Sequence, residues 1–289
     1  MKDKMSFLLG SFSVGVSRLQ NNSFFILHSS FLFIIVFLFA SCGDVAEDER
    51  WMGPQEVAAT KNVLVEDFTG QRCVNCPDAT ATIDELQQRI SSRYGAGHVV
   101  AVAIHGGSMA ISDDYPMGLA TAEGDSMHNA LGIDAWPAGV VDRTGGICRY
   151  SEWTARVVSR MAVIPSLEIA CEASADEAQI NVSVVITPLF SFDTSAERRL
   201  TVWLTESGIT ALQFMPDGSR NASYIHNHVF RASLTEPVGQ LLAGGTQTVS
   251  LSLPIKATWN VAQLAVVAFV TEARGVEQVV EVKVKGNGE

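Results

Sequence analysis

The stretch Val63-Leu64-Val65-Glu66-Asp67-Phe68-Thr69-Gly70-Gln71-Arg72-Cys73-Val74-Asn75-Cys76-Pro77 constrains the fold more than any other part of the chain. An apolar run breaks at Gly70, two cysteines follow three residues apart, and Pro77 opens a segment in which Ile83, Leu86 and Ile90 recur at helical spacing. The pattern predicts a strand, a turn and a helix, with both thiols at the junction. Unpaired first-turn amides and the positive end of a helix favour a thiolate, and Arg72 adds a cation beside Cys73. Cys73 is then the more reactive thiol, and Cys76, one turn inside, titrates higher.

Gly95 and Gly97 stop that helix. His98-Val99-Val100-Ala101-Val102-Ala103-Ile104 is nearly all apolar and β-branched, the reading of a strand buried on both faces of a parallel sheet. Strand, helix and strand together make a right-handed βαβ unit. A polar loop, a short helix pattern at residues 120–131, and a loop ending in Trp136-Pro137 follow. They feed an apolar strand, and residues 151–161 read as a closing amphipathic helix with Ser151 as its cap. After Pro165 the period changes from helical to two. Ile180, Val182, Val184 and Ile186 alternate with polar residues, as do Leu200, Val202 and Leu204, then Val249, Leu251 and Leu253, then Val280, Val282 and Val284. Successive short runs of this kind, with no long helix between them, predict an antiparallel β-sandwich and a boundary near Pro165.

The N-terminus is a targeting segment rather than part of the fold. Residues 31–40 form an uninterrupted apolar run preceded by Lys2, Lys4 and Arg18, and the run is shorter than the roughly 20 residues that a membrane-spanning helix needs. It ends in Phe39-Ala40-Ser41-Cys42, small residues followed by a cysteine, which resembles the bacterial lipobox. We therefore expect a lipoprotein signal peptide at 1–41, acyl chains of the palmitate type on Cys42, and an acidic tether at 42–60. Loss of the leader, which carries Lys2, Asp3, Lys4 and Arg18, takes the formal charge from −11 to −13. Several acyl chains, at about 0.8 kcal/mol per buried methylene, hold such a protein firmly, and the membrane is its first expected partner. So acidic a chain with no basic patch excludes a nucleic-acid partner. No nucleophile elbow, phosphate-binding glycine loop or zinc-protease helix is present, and neither a cofactor nor a metal is implied.

Residues 61–163 resemble thioredoxin. Asp67 in the strand, the Cys73-x-x-Cys76 pair at the helix start and Trp136-Pro137 before a later strand carry the resemblance. It implies that Cys73 is the attacking thiol and Cys76 the resolving thiol. Asp67 is the buried acceptor of a proton from Cys76, and Pro137 is a cis residue packed against the disulfide. Arg72 stands where that family commonly has Trp, and Val74-Asn75 is not its usual intervening pair, so a permanent Cys73–Cys76 disulfide is the alternative to turnover. Cys148 and Cys171 flank the closing helix, and in an oxidising envelope we expect them to form a disulfide tying the two domains together. Two separate buried cysteines are the alternative. His105 beside the cysteine pair, and His226 with His228 on one face of a strand, are weaker metal-ligand candidates, since zinc needs further ligands.

Taken whole, Glu66 to Pro77, Trp136-Pro137-Ala138-Gly139-Val140-Val141-Asp142-Arg143 and Tyr224-Ile225-His226-Asn227-His228-Val229-Phe230 resemble the twenty-eight-kilodalton outer-membrane lipoprotein family of Bacteroidetes. That resemblance implies an α/β thioredoxin-like domain followed by an all-β sandwich domain at 164–289. It also implies a lipid-anchored address in the outer membrane, on its periplasmic or cell-surface face. Two functions from different classes remain open. One is a surface binding protein or adhesin that offers loops such as 207–221 to a protein partner or host ligand. The other is an envelope thiol–disulfide oxidoreductase using Cys73 and Cys76.

Overall fold

A computed structural model describes residues 61–190 and 196–286. The leader, Cys42 and the tether lie outside the described residues. The first strand is β1 (Val63–Thr69), buried along its whole length. Helix α1 (Cys76–Tyr94) follows, with Pro77 in its first turn and Ala79, Ile83, Leu86 and Ile90 buried along one stripe. Gly95, at φ 94°, ends it, donating its amide to Ser91 O at 3.0 Å. Strand β2 (Val99–His105) returns parallel to β1, from Val63 opposite Val99 to Thr69 opposite His105.

Helix α2 (Ala122–Leu131) is capped by Thr121, whose hydroxyl accepts from the Gly124 amide at 3.0 Å, and it closes on left-handed Gly132. The Trp136–Pro137 peptide is cis. Strand β3 (Ala138–Val141) then runs antiparallel to β1, and β4 (Thr144–Cys148) pairs back on β3 through a tight turn with Asp142 and Arg143 both at positive φ. Helix α3 (Tyr150–Met161) follows. Its cap is Arg149 rather than Ser151, and the Glu152 carboxylate accepts the Arg149 amide at 3.2 Å. Residues of α1 and α3 pack with Val63, Val65 and Val141 in one core, around fully buried Trp153.

Beyond Pro165 the described chain forms ten further strands, and the period-two runs at 180–186, 200–204, 249–253 and 280–284 fall on four of them. The ten are β5 (Leu167–Ala175), β6 (Gln179–Pro188), β7 (Arg199–Glu206), β8 (Ile209–Phe214), β9 (Arg220–His226), β10 (Val229–Ser233), β11 (Gln240–Leu241), β12 (Gln247–Pro254), β13 (Leu264–Glu272) and β14 (Gly275–Lys283). Their arrangement differs from a free-standing sandwich. Strands β12, β6 and β5 form a three-stranded sheet, but β7, β10, β13 and β14 continue the sheet built on β1, in the order β14-β13-β7-β10-β2-β1-β3-β4. The junction is β10 against β2, where Val229 registers parallel with Ala103 and the Ala103 amide donates to His228 O at 2.8 Å. The described chain is thus rich in β-structure. One core lies between the three-stranded sheet and Leu200, Val202, Leu204 and Val266, and another holds Leu64, Phe68, Val102, Trp203, Phe230 and Phe269.

Candidate functional site

Cys73 and Cys76 are disulfide-bonded, with Cα atoms 5.4 Å apart. Cys76 is the first residue of α1, while Cys73 precedes the helix in a turn held by its amide donating to Gly70 O at 3.1 Å. The Arg72 amide donates to Met109 O at 2.8 Å, and a side chain at Gly70 would collide with the Met109 carbonyl, so the turn sits tightly against that segment. The Arg72 guanidinium donates to Ala110 O at 3.4 Å, so a backbone carbonyl takes the cation that the sequence places beside Cys73.

Asp67 lies on the face of β1 shared with Val63 and Val65, the face that α1 covers. It is 1% exposed, its Oδ1 has no hydrogen-bond partner, and burial pushes its carboxyl up to about 8. A carboxyl so placed is protonated at neutral pH. His105, at the end of β2, meets His226 of β9 edge to face with ring centroids 5.3 Å apart. Burial holds His105 well below the usual imidazole range and lowers His226 to about 4, so both are neutral. The Tyr224 phenol is pushed up by burial. Thr69, Cys76, Thr80, His105, Gln213, Tyr224 and His226 enclose a cavity of about 10 Å³. One water needs roughly that volume and two to four polar partners.

Pro137 immediately precedes β3, whose first residue Ala138 pairs with Phe68 near the end of β1. The cis peptide therefore lies at the end of the sheet where β1 runs into the cysteine turn. The Trp136 ring stacks on His128 with centroids 6.0 Å apart. The structure thus brings Asp67, Cys73, Cys76 and Pro137 to one end of one sheet.

The expected Cys148–Cys171 bridge is not formed, and both thiols are free. Cys148 ends β4 and donates its thiol to Gly139 O at 3.4 Å, whereas Cys171 sits on β5, paired with Val184 in the three-stranded sheet. Burial raises both, Cys171 to about 11, as befits inert thiols serving as apolar packing. His226 and His228 do not share a strand face either. Strand β9 ends at buried His226, and His228 occupies the following turn at φ 56°. Among the described residues no group of three or more His, Cys, Asp or Glu side chains is placed to hold a metal.

Two features escape the sequence reading. Residues 207–221, read there as a loop, contain most of the β8–β9 hairpin, and its inner side lies on the cysteine turn. Gln213 Nε2 donates to Cys73 O at 2.8 Å and to Gly70 O at 3.4 Å, and the Phe214 amide donates to Gln71 O at 2.8 Å. Gln71 Nε2 reaches back to Leu212 O at 3.2 Å. Under this cover Cys73 is 5% exposed and Cys76 2%. The second is an open apolar groove of about 520 Å³ between α2 and the β3–β4 turn, on the other face of β1. Its floor is buried Glu66, paired with Arg143 at 2.9 Å, whose guanidinium lies over Trp203 and Phe269 at 5.3 and 4.8 Å from the ring centres.

The fold is similar to that of HBP35 of Porphyromonas gingivalis, with a TM-score of 0.61 over 80% of this chain and 78% of that one, at 16% identity. A β-glucosidase of Kluyveromyces marxianus overlaps 42% of this chain and 14% of its own length, at 13% identity and a TM-score of 0.22, too low to carry any argument. No curated protein matches the sequence. The family model for outer membrane protein Omp28 matches residues 124–288, more than half of the chain. The chain therefore belongs to the Omp28 family of outer membrane proteins.

Proposed function

We propose that this outer-membrane protein is a lipoprotein anchored through Cys42, with a thioredoxin-like module at residues 61–163 that exchanges Cys73–Cys76 with thiols of envelope proteins. The observation that carries the reading is Asp67, a buried carboxyl without a partner for Oδ1 on the side of β1 covered by the helix that Cys76 begins. Buried polar groups left unpaired cost about 1–3 kcal/mol and are retained where a reaction uses them. In the reduced protein the Cys73 thiolate attacks one sulfur of a partner disulfide and releases the other partner sulfur as a thiolate. Cys76 then gives its proton to the carboxylate form of Asp67, which leaves Asp67 protonated as in the oxidised protein, and attacks Cys73 Sγ, which releases the second partner sulfur and restores the Cys73–Cys76 bond. In the reverse direction protonated Asp67 returns the proton to Cys76 as it leaves. The cis peptide before β3, the order β4-β3-β1-β2 and the helix starting at Cys76 support the same module.

The test is insulin reduction with wild type and Cys73→Ser. Turnover by wild type alone supports exchange, and equal rates refute it. The low exposure of both sulfurs favours a second reading, in which the disulfide is structural and the protein binds a partner or host ligand at the cell surface. A reduction potential below about −300 mV decides for that reading.

A further inference from the structure

Strands β8 and β9 belong to neither large sheet and pair only with each other. The chain leaves β7 at Glu206 and re-enters at Val229 of β10, which pairs with that same Glu206, so the hairpin is an excursion between two adjacent strands. Both ends of the excursion turn on left-handed residues, Gly208 at φ 72° and His228 at φ 56°. The Gly208 amide donates to Asn227 Oδ1 at 3.0 Å and the His228 amide to Ser207 Oγ at 3.0 Å, which ties the two stems together. One side of the hairpin is exposed, with Ile225 58% accessible, and the other carries buried Gln213 and His226 onto the cysteine turn and its cavity. An isolated two-stranded ribbon is only marginally stable in water, so what holds this one down is its contact with the site together with the packing of Ala211 and Ile209 against Leu119 and Val229.

We infer that residues 208–228 form a hinged cover over the disulfide, latched by Gln213, and that the opening of this cover decides which reductants and thiols reach Cys73 and Cys76. Gln213 is a specificity-determining residue rather than a catalytic one, since its amide bonds the carbonyls of Cys73 and Gly70 and not a sulfur. The purpose of the cover rests on the exchange reading above, but its existence does not, and the experiment separates the two.

The probe is the phosphine TCEP with the full-length oxidised chain. The phosphine gives two electrons to the disulfide and takes the oxygen of one water as phosphine oxide, while the two protons of that water end on Cys73 and Cys76. Reduction is followed by rapid alkylation and mass analysis. A cover predicts a rate that saturates with TCEP concentration at the opening rate. In Gln213→Ala the plateau rises at least ten-fold while the melting temperature stays within a few degrees. In wild type, hydrogen exchange of residues 209–226 proceeds faster than in β7 and β13. A rate linear in TCEP with the same slope in both proteins, or hairpin amides that exchange only with global unfolding, overturns the proposal. Saturating reduction without insulin turnover keeps the cover and removes the exchange reading.

Discussion

Replacing Asp67 with asparagine removes a titration that opposes folding at neutral pH. The folded carboxyl keeps its proton to about pH 8, whereas the unfolded chain releases it near 3.8. Between those values the folded state holds one more proton, so wild-type stability falls as pH rises through the window. Each pH unit inside it costs about 1.4 kcal/mol, so the step from pH 4 to pH 7 removes at most about 4 kcal/mol. The amide of the Asp67→Asn variant does not titrate. Guanidinium denaturation of both oxidised proteins at several pH values, followed by tryptophan fluorescence, gives the difference in stability between them, in which groups common to both cancel. That difference shifts toward the variant by as much as about 4 kcal/mol between pH 4 and 7. A difference constant to within about 0.5 kcal/mol means that Asp67 is ionised in the folded protein, and the argument for a stored proton fails.

The remaining predictions concern neighbouring groups. His226 has the opposite sign: lowered by burial to about 4, it contributes stability that is present above pH 6.5 and lost as pH falls through that value toward 4, about 3 kcal/mol in all. His226→Phe should flatten this limb of the stability profile, and an unchanged profile refutes a buried neutral imidazole. Asp142 is buried between Lys61 and the Arg160 guanidinium, 2.8 Å away, and also accepts the Leu64 amide at 2.9 Å. Asp142→Ala leaves Lys61 buried without its carboxylate and should cost about 3–5 kcal/mol by thermal or denaturant unfolding, and a cost under 1 kcal/mol refutes the pairing. A side chain at Gly139 would collide with the indole of fully buried Trp153, so Gly139→Ala should destabilise by about 1–3 kcal/mol, and a neutral result refutes that packing. Alkylation of the unfolded, unreduced chain followed by peptide mapping should label Cys148 and Cys171 and spare Cys73 and Cys76, and unlabelled Cys148 and Cys171 would restore the bridge.

Local pattern carried most of the first half of the fold. The seven buried residues of β1, the stripe on α1 and the apolar run of β2 each announce their element with residues close in sequence. The alternation in β6, β7, β12 and β14 was equally plain. Pairing between distant segments was not. Nothing in Val229-Phe230 shows that β10 docks beside β2, because a short apolar strand satisfies any neighbour that completes its hydrogen bonds. Cys148 and Cys171 invited a bridge through their even count, yet each has an apolar place to fill, and burial alone accounts for both. The candidate site was legible as Asp67, Cys73, Cys76 and Pro137, all near turns with a marked sequence. Its cover was not, since Gln213 reaches Cys73 across 140 positions from a stretch whose sequence reads as a loop.

The junction at β10 links the accuracy of the site to the continuity of the sheet. Ala103 donates to His228 O, and two residues upstream of His228 the ring of His226 packs against His105, the residue that ends β2. A one-residue slip of β10 along β2 would reverse which side chains face each side of the sheet and carry His226 and the hairpin away from the cavity beside Cys76. Parallel pairing there is only a single registered residue pair, Val229 with Ala103. What fixes it is antiparallel β7 on the far side of β10, which sets Val229 against Glu206 and Phe230 against Thr205. Residues 200 to 230 thus position the environment of the thiols as firmly as the strand and helix that carry them. Substitutions that loosen β7 against β10 should raise the reduction rate of Cys73–Cys76 before they lower the melting temperature.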